Sequence, residues 1–151
     1  MISQTVLVVA SPFGDALSAR DVARAIGRGL VAAGLPEPDL CPIDEGSYGE
    51  HSEKVRERLD ALGFDARMRR ARAVVVVGAE RLEEQMLAGS MTFEIATRAR
   101  QRGVPAYAVT GENALLAFDA RILDLQAILE ARTKRTLVAA GTKLARLVGT
   151  G

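Results

Sequence analysis

Two stretches, VLVVA at Val6–Ala10 and AVVVV at Ala73–Val77, are apolar at every position instead of at every second one. A strand that hides one face alternates. Strands that hide both faces belong to parallel sheets covered by helices on either side. The segments between these runs have the matching character. After the first strand, Thr5–Ala10, Ser18 is an N-cap with Asp21 three residues on. Val22, Ile26, Leu30 and Ala33 recur at helical spacing, and Gly34 supplies the stop. Asp39–Ile43 reads as a short second strand, Glu45–Glu53 as a loop, and the segment to Leu62 as a helix. Beyond the third strand, Leu82–Arg102 reads as a helix closed by Gly103 and Pro105. Ala106–Val109 is the fourth strand, Thr110–Asn113 a turn and Gln126–Leu129 a fifth strand. Thr133–Val148 is a last amphipathic helix with Leu137, Ala140, Leu144 and Leu147 on one side.

Strand-helix alternation with right-handed crossovers predicts an α/β/α sandwich of three layers, built as one domain over residues 1–151. The expected sheet is parallel, five-stranded and flavodoxin-like, in the order 2-1-3-4-5. Ligands in such sheets bind beyond the carboxyl ends of the strands, where the strand order reverses. Here the reversal lies between the first and third strands. It is bounded by loops Ser11–Ala16 and Gly78–Gly89, with Glu45–His51 and Thr110–Asn113 alongside. The first loop and the start of the Ser18 helix offer backbone amides to an anion, or they cap the helix and nothing more.

Composition excludes several classes. A net charge of +1 provides no field to recruit nucleic acid or a membrane surface. Four Phe, two Tyr and no Trp leave few side chains to stack bases or to sandwich a flat cofactor. A carrier of flavin mononucleotide is disfavoured on that ground, and because the first loop is poor in Ser and Thr. Cys41 is alone, which excludes an internal disulfide or a multi-cysteine metal site, and it reads as a core residue. No apolar segment approaches the roughly 18 residues of a membrane span, and no leader is evident, so a cytoplasmic protein is expected. The basic run Arg67, Arg69, Arg70 and Arg72 reads as a solvated helix end, and His51 as a solvated loop histidine. Gly27 and Gly29 read as sites of close packing on the sheet.

Four segments in order resemble the bacterial two-domain glycerate kinase family. ASPFGDALSA (Ala10–Ala19) is similar to that family's PDSFKGSLSA. DEGSYGE (Asp44–Glu50) is similar to ADGGEGT. LDALGFDARMRRARAVVVVGAERLEEQMLAGS (Leu59–Ser90) follows a third family stretch almost without gaps, and RARQRGVPAYAVTG (Arg98–Gly111) looks like its GVPVVALAG strand and turn. The resemblance implies ATP-dependent phosphorylation of glycerate or a related small hydroxy acid, with ATP and Mg²⁺ as cofactors. It gives catalytic roles to Arg81, Glu83 and Glu45. It gives substrate or phosphate contacts to Ser11, Phe13, Gly14, Asp15, Ser18, Gly46, Gly78, Gln85, Gly89 and Ser90, and assigns no metal ligand.

The departures from the motif are chemical. Gly14 and Ser90 stand where the family has lysines, Ser11 and Ala79 where it has acids, and the family's inserted second domain is missing near His51. Phosphoryl transfer needs cations on the moving group and a closed cleft. The alternative is therefore a non-catalytic remnant of the kinase fold that binds a small organic acid, a phosphate or a partner. A second copy or another chain that completes the cleft is a further expectation.

Overall fold

The computed structural model of the chain describes residues 5–43, 52–83 and 91–149; at residues 52, 54, 79–81 and 119 it is the backbone course that is described. The strands are β1 (Val6–Ala10), β2 (Asp39–Pro42), β3 (Ala73–Leu82), β4 (Ala106–Asn113) and β5 (Leu125–Glu130). The helices are α1 (Ala19–Ala32), α2 (Ser52–Ala61), α3 (Phe64–Arg69), α4 (Met91–Arg102), α5 (Ala117–Leu123) and α6 (Lys134–Gly149). The sheet runs β2-β1-β3-β4-β5 and every pairing is parallel. The three-layer flavodoxin-like architecture expected from the apolar runs is the one present.

Residue parity divides the core. Val6, Val8, Ala10, Ala73, Val75 and Val77 pack against Val22, Ile26 and Leu30 of α1 and Leu137 and Leu144 of α6. Leu7, Val9, Val74 and Val76 pack the other way, against Val55, Leu59, Phe64, Met68 and Ile95. Each fully buried side chain of this size contributes roughly 1.5–3 kcal/mol, so both faces must be covered, and that need makes the strands uniformly apolar. Ser18 caps α1 as expected, its Oγ accepting from Asp21 N at 3.1 Å, and Gly34 ends the helix at φ 106°. Ala33 and Leu147, read as part of apolar stripes, are exposed. Among the described residues no helix is long and apolar enough to cross a membrane.

Five elements depart from expectation. Thr110–Asn113 is the second half of β4, not a turn, and β3 runs on past Val77. The β3–β4 register shifts between Gly78 and Arg81, after which Arg81 and Leu82 stand opposite Glu112 and Asn113. This polar ribbon exists because each half supplies the other's ladder, which no local pattern announces. Within the described residues, the helix expected from Leu82 begins at Met91. Helices α3 and α5, six and seven residues long, are too short for periodicity to announce them.

The basic run is a solvated helix end only at Arg69 and Arg70, which are exposed. Arg67 forks onto Asp39 at 2.6 and 3.0 Å, donates to Leu40 O at 2.9 Å and reaches Cys41 Sγ at 3.3 Å, so it clamps α3 to edge strand β2. Arg72 donates to Val148 O at 2.8 Å, which satisfies a carbonyl in the last turn of α6.

Cys41 is buried as expected. Burial pushes its thiol up despite the lowering effect of Arg67, and burial likewise pushes Tyr107 up against Arg72. Both groups hold their protons more tightly folded than unfolded. The stability this contributes is complete below their unfolded pKa values and is lost as pH rises through the folded ones. The thermal midpoint should therefore fall from roughly pH 8.5 upward, with a shallower fall in Cys41→Ala. Equal slopes for the two proteins between pH 8 and 10, taken as approximate bounds, would remove Cys41 from the account.

Candidate functional site

The reversal of strand order puts Ser11, at the carboxyl end of β1, in a row with Gly78 and Thr110 within β3 and β4. Ser11 donates both its N–H and its hydroxyl to Val77 O, each at 3.1 Å. A Cβ on Gly78 would stand 3.3 Å from Ser11 Oγ, so these two residues form a tight floor. Thr110 is buried beside them, its hydroxyl 3.4 Å from Glu112 O. Among the described residues every buried side-chain nitrogen or oxygen has a hydrogen-bond partner.

The first loop closes on itself. Phe13 N donates to Leu17 O at 2.9 Å, while Ala16 N and Leu17 N both donate to Phe13 O, at 3.2 and 3.4 Å. Gly14 makes the turn at φ 56°. Of the residues expected to contact ligand, Phe13 is buried in the core on the α1–α6 side, and Ser11 and Ser18 spend their hydroxyls on backbone. Asp15 is exposed at the loop tip and Gly78 lies on the floor. Arg81 lies in the ribbon opposite Glu112, and Glu83 follows it half-buried. Glu45, Gly46, Gln85, Gly89 and Ser90 lie outside the described residues, as does His51. The structure thus brings Ser11 and Gly78 together, with Arg81 and Glu83 in or just beyond the ribbon above them.

Sequence reasoning missed the β4–β5 side of this edge. Arg132 donates from Nε to Gly111 O at 2.7 Å and from Nη2 to Glu112 Oε1 at 3.4 Å, and Glu130 accepts from Asn113 N at 2.8 Å. Directly beyond β4, Leu116 and Phe118 are 69 % and 66 % exposed. The clue was present as LLAF, Leu115–Phe118; reading Thr110–Asn113 as a turn hid where it lands. An open hollow of about 670 Å³ lies at the opposite, amino end of the sheet, but the Arg67 in its wall is committed to Asp39.

No family model matches the chain, and no curated protein does. Among solved structures the chain is similar to a diflavin flavoprotein A3 from Nostoc sp., at 15 % identity over 99 % of this chain and 95 % of that one, TM-score 0.48. It is also similar to an oxidoreductase from Corynebacterium diphtheriae, at 11 % identity over the full length of both chains, TM-score 0.50.

These findings overturn the resemblance to glycerate kinases. The likeness runs end to end to a chain of this size, not to one lobe of a two-lobed kinase. ATP-dependent phosphorylation of glycerate, the kinase and transferase reading, and ATP and Mg²⁺ as cofactors go with it, and the alternative of a kinase remnant loses its basis. The loop geometry explains the failure physically. Amides that would cradle a phosphate, those of Ser11, Phe13, Ala16 and Leu17, are spent inside the protein. What the end-to-end likeness carries is the architecture, and the chain has the flavodoxin-like fold.

Proposed function

We propose that the chain is a flavodoxin-like domain of oxidoreductase type, which takes a flavin-class ring at the carboxyl end of its sheet without gripping a phosphate. The observation that carries the reading is the exposed pair Leu116 and Phe118 in the segment that leaves β4. Large apolar side chains left in water beyond the carboxyl end of β4 are surface that a flat ring would cover, and a phenyl ring stacks on such a ring. The oxidoreductase name of the C. diphtheriae neighbour favours the same class. A bound flavin supplies one- or two-electron transfer. The chain's own part is to shelter the ring with Leu116 and Phe118 and to offer it the backbone of the β3–β4 ribbon.

Quenching of flavin fluorescence tests this. Riboflavin and its 5′-phosphate should bind within about threefold of each other, because four of the first loop's amides are spent inside the protein and the loop carries the Asp15 carboxylate at its tip. Phe118→Ala should weaken both about tenfold, or about 1.4 kcal/mol. Absence of quenching by either flavin overturns the reading. A phosphate preference above about thirtyfold overturns the account of the loop.

A further inference from the structure

The net charge of +1, which promises no field for a polyanion, hides a segregation of charge. Helices α1 and α6 together carry seven basic residues and one acid, Asp21, a surplus of six that leaves the rest of the chain net negative by five. On α1, Arg20, Arg24 and Arg28 are exposed and recur every fourth residue, about 6 Å apart along the axis. On α6, Lys134, Arg135, Lys143 and Arg146 are exposed as well. The apolar sides of both helices are spent on the sheet. Gly29 and Gly141, at the crossing of the two helices, leave no space for a Cβ on either, so the basic rows stand side by side. Among the described residues none of the seven is in an ion pair. The opposite layer is built the other way: Arg98 is held by Asp60, Asp65 and Glu94, Arg102 by Asp65, and Arg56 by Glu94.

We propose that the outer face of α1 and α6 binds the phosphate backbone of a nucleic-acid duplex without reading its sequence. A duplex presents one negative charge per about 1.7 Å of its axis, and cations that neutralise its phosphates gain by releasing counterions. What the face lacks selects the duplex among polyanions. Neither helix contains an aromatic residue on which unpaired bases could stack. The large apolar side chains exposed on these helices are Val31 and Leu147, each in a last turn and only 39 % and 43 % exposed. No apolar anchor therefore stands between the rows, as a protein partner or insertion into lipid would need. Phosphate contacts need only cations and a partner of regular charge. The face lies on a helical layer and not at the carboxyl end of the sheet, so the proposal stands whether or not a flavin binds there.

Fluorescence anisotropy of a labelled duplex of about 20 bp, titrated with the full chain, tests the proposal. A dissociation constant of about 1–100 µM is expected near physiological salt, and log K should fall against log salt with a slope of about −4 to −5, as for roughly five phosphate contacts. Two duplexes of unrelated sequence should bind within about twofold of each other. Arg28→Gln and Arg146→Gln, one on each helix, should each weaken binding about threefold and make the slope shallower by about one. Arg28→Glu combined with Arg146→Glu should abolish binding. Arg69→Gln removes the same charge from an exposed position on α3 and should change binding by less than about twofold. Thermal midpoints establish that each variant is folded. No rise in anisotropy even at about 50 mM salt overturns the proposal, and binding of phosphatidylserine vesicles or of poly-L-glutamate in its place would give the face to a membrane or to an acidic protein. Equal losses from Arg69→Gln and Arg28→Gln overturn the placement on α1 and α6.

Discussion

Gly29→Ala is expected to destabilise the protein by about 3 kcal/mol, the opposite of what the change does in an exposed helix, where alanine gains about 1 kcal/mol. The glycine is where α1 meets α6. A Cβ at position 29 would collide with Val138 O and stand 2.7 Å from Thr142 N and 2.9 Å from Gly141 Cα. Gly141 is the reciprocal site, since a Cβ there would collide with Ile26 O. These neighbours are backbone and cannot swing aside, so the helices must separate and loosen Ile26, Leu30, Leu137 and Leu144 beneath them. The thermal midpoint should drop by about 6–12 °C in a chain of this length. Urea titration of Gly29→Ala and Gly141→Ala, with about 1 kcal/mol as the threshold of a real loss, is the measurement. Either variant as stable as the parent would refute the close crossing.

Arg98→Ala should cost about 2–3 kcal/mol. Arg98 is nearly buried on α4, with Nε 3.2 Å from Glu94 and Nη1 3.0 Å from both Asp60 of α2 and Asp65 just inside α3. Burial works against its charge, yet the hydrogen bonds it donates to Asp60, Glu94 and Asp65 together outweigh burial and raise its pKa. Removal would leave three carboxylates around a void. Losing one member of a buried pair costs about 3–5 kcal/mol, and water reduces that here because Asp60 is 67 % exposed. Arg98→Met, which keeps most of the volume, should recover less than half of the loss, because the three carboxylates still lose the cation they share, Arg102 and Arg56 remaining only to Asp65 and Glu94. Denaturant midpoints decide: a fully restored Arg98→Met would make the residue a space-filler instead of a clamp.

These two positions also mark how far a linear reading reaches. The apolar runs at Val6–Ala10 and Ala73–Val77, the Ser18 cap and the Gly34 stop are local facts, and from them the sheet order and the row Ser11, Gly78, Thr110 could be located. Gly29 was visible as a packing glycine, but its partner proved to be Gly141, 112 residues away, and not the sheet. The clamp of Arg67 on Asp39 was likewise unreadable, because a helix-end arginine looks solvated until the fold brings an acid 28 residues earlier in the chain beside it. The kinase resemblance misled for a related reason. VVVVG and RGVPAYAV meet packing demands that any doubly wound parallel sheet makes, so they report the architecture without the chemistry.

Sequence alone determined which segments are strands buried on both faces, the first and last of the helices that cover them, and hence the parallel order and the edge where the candidate site lies, because burial periodicity and caps act within a few residues. Tertiary structure decided that the first loop turns four of its amides inward, that β3 and β4 extend as a ribbon, and that Leu116 and Phe118 stand exposed beyond it. Each of those depends on which distant groups become neighbours, and hydrogen bonds and close contacts form between neighbours in space.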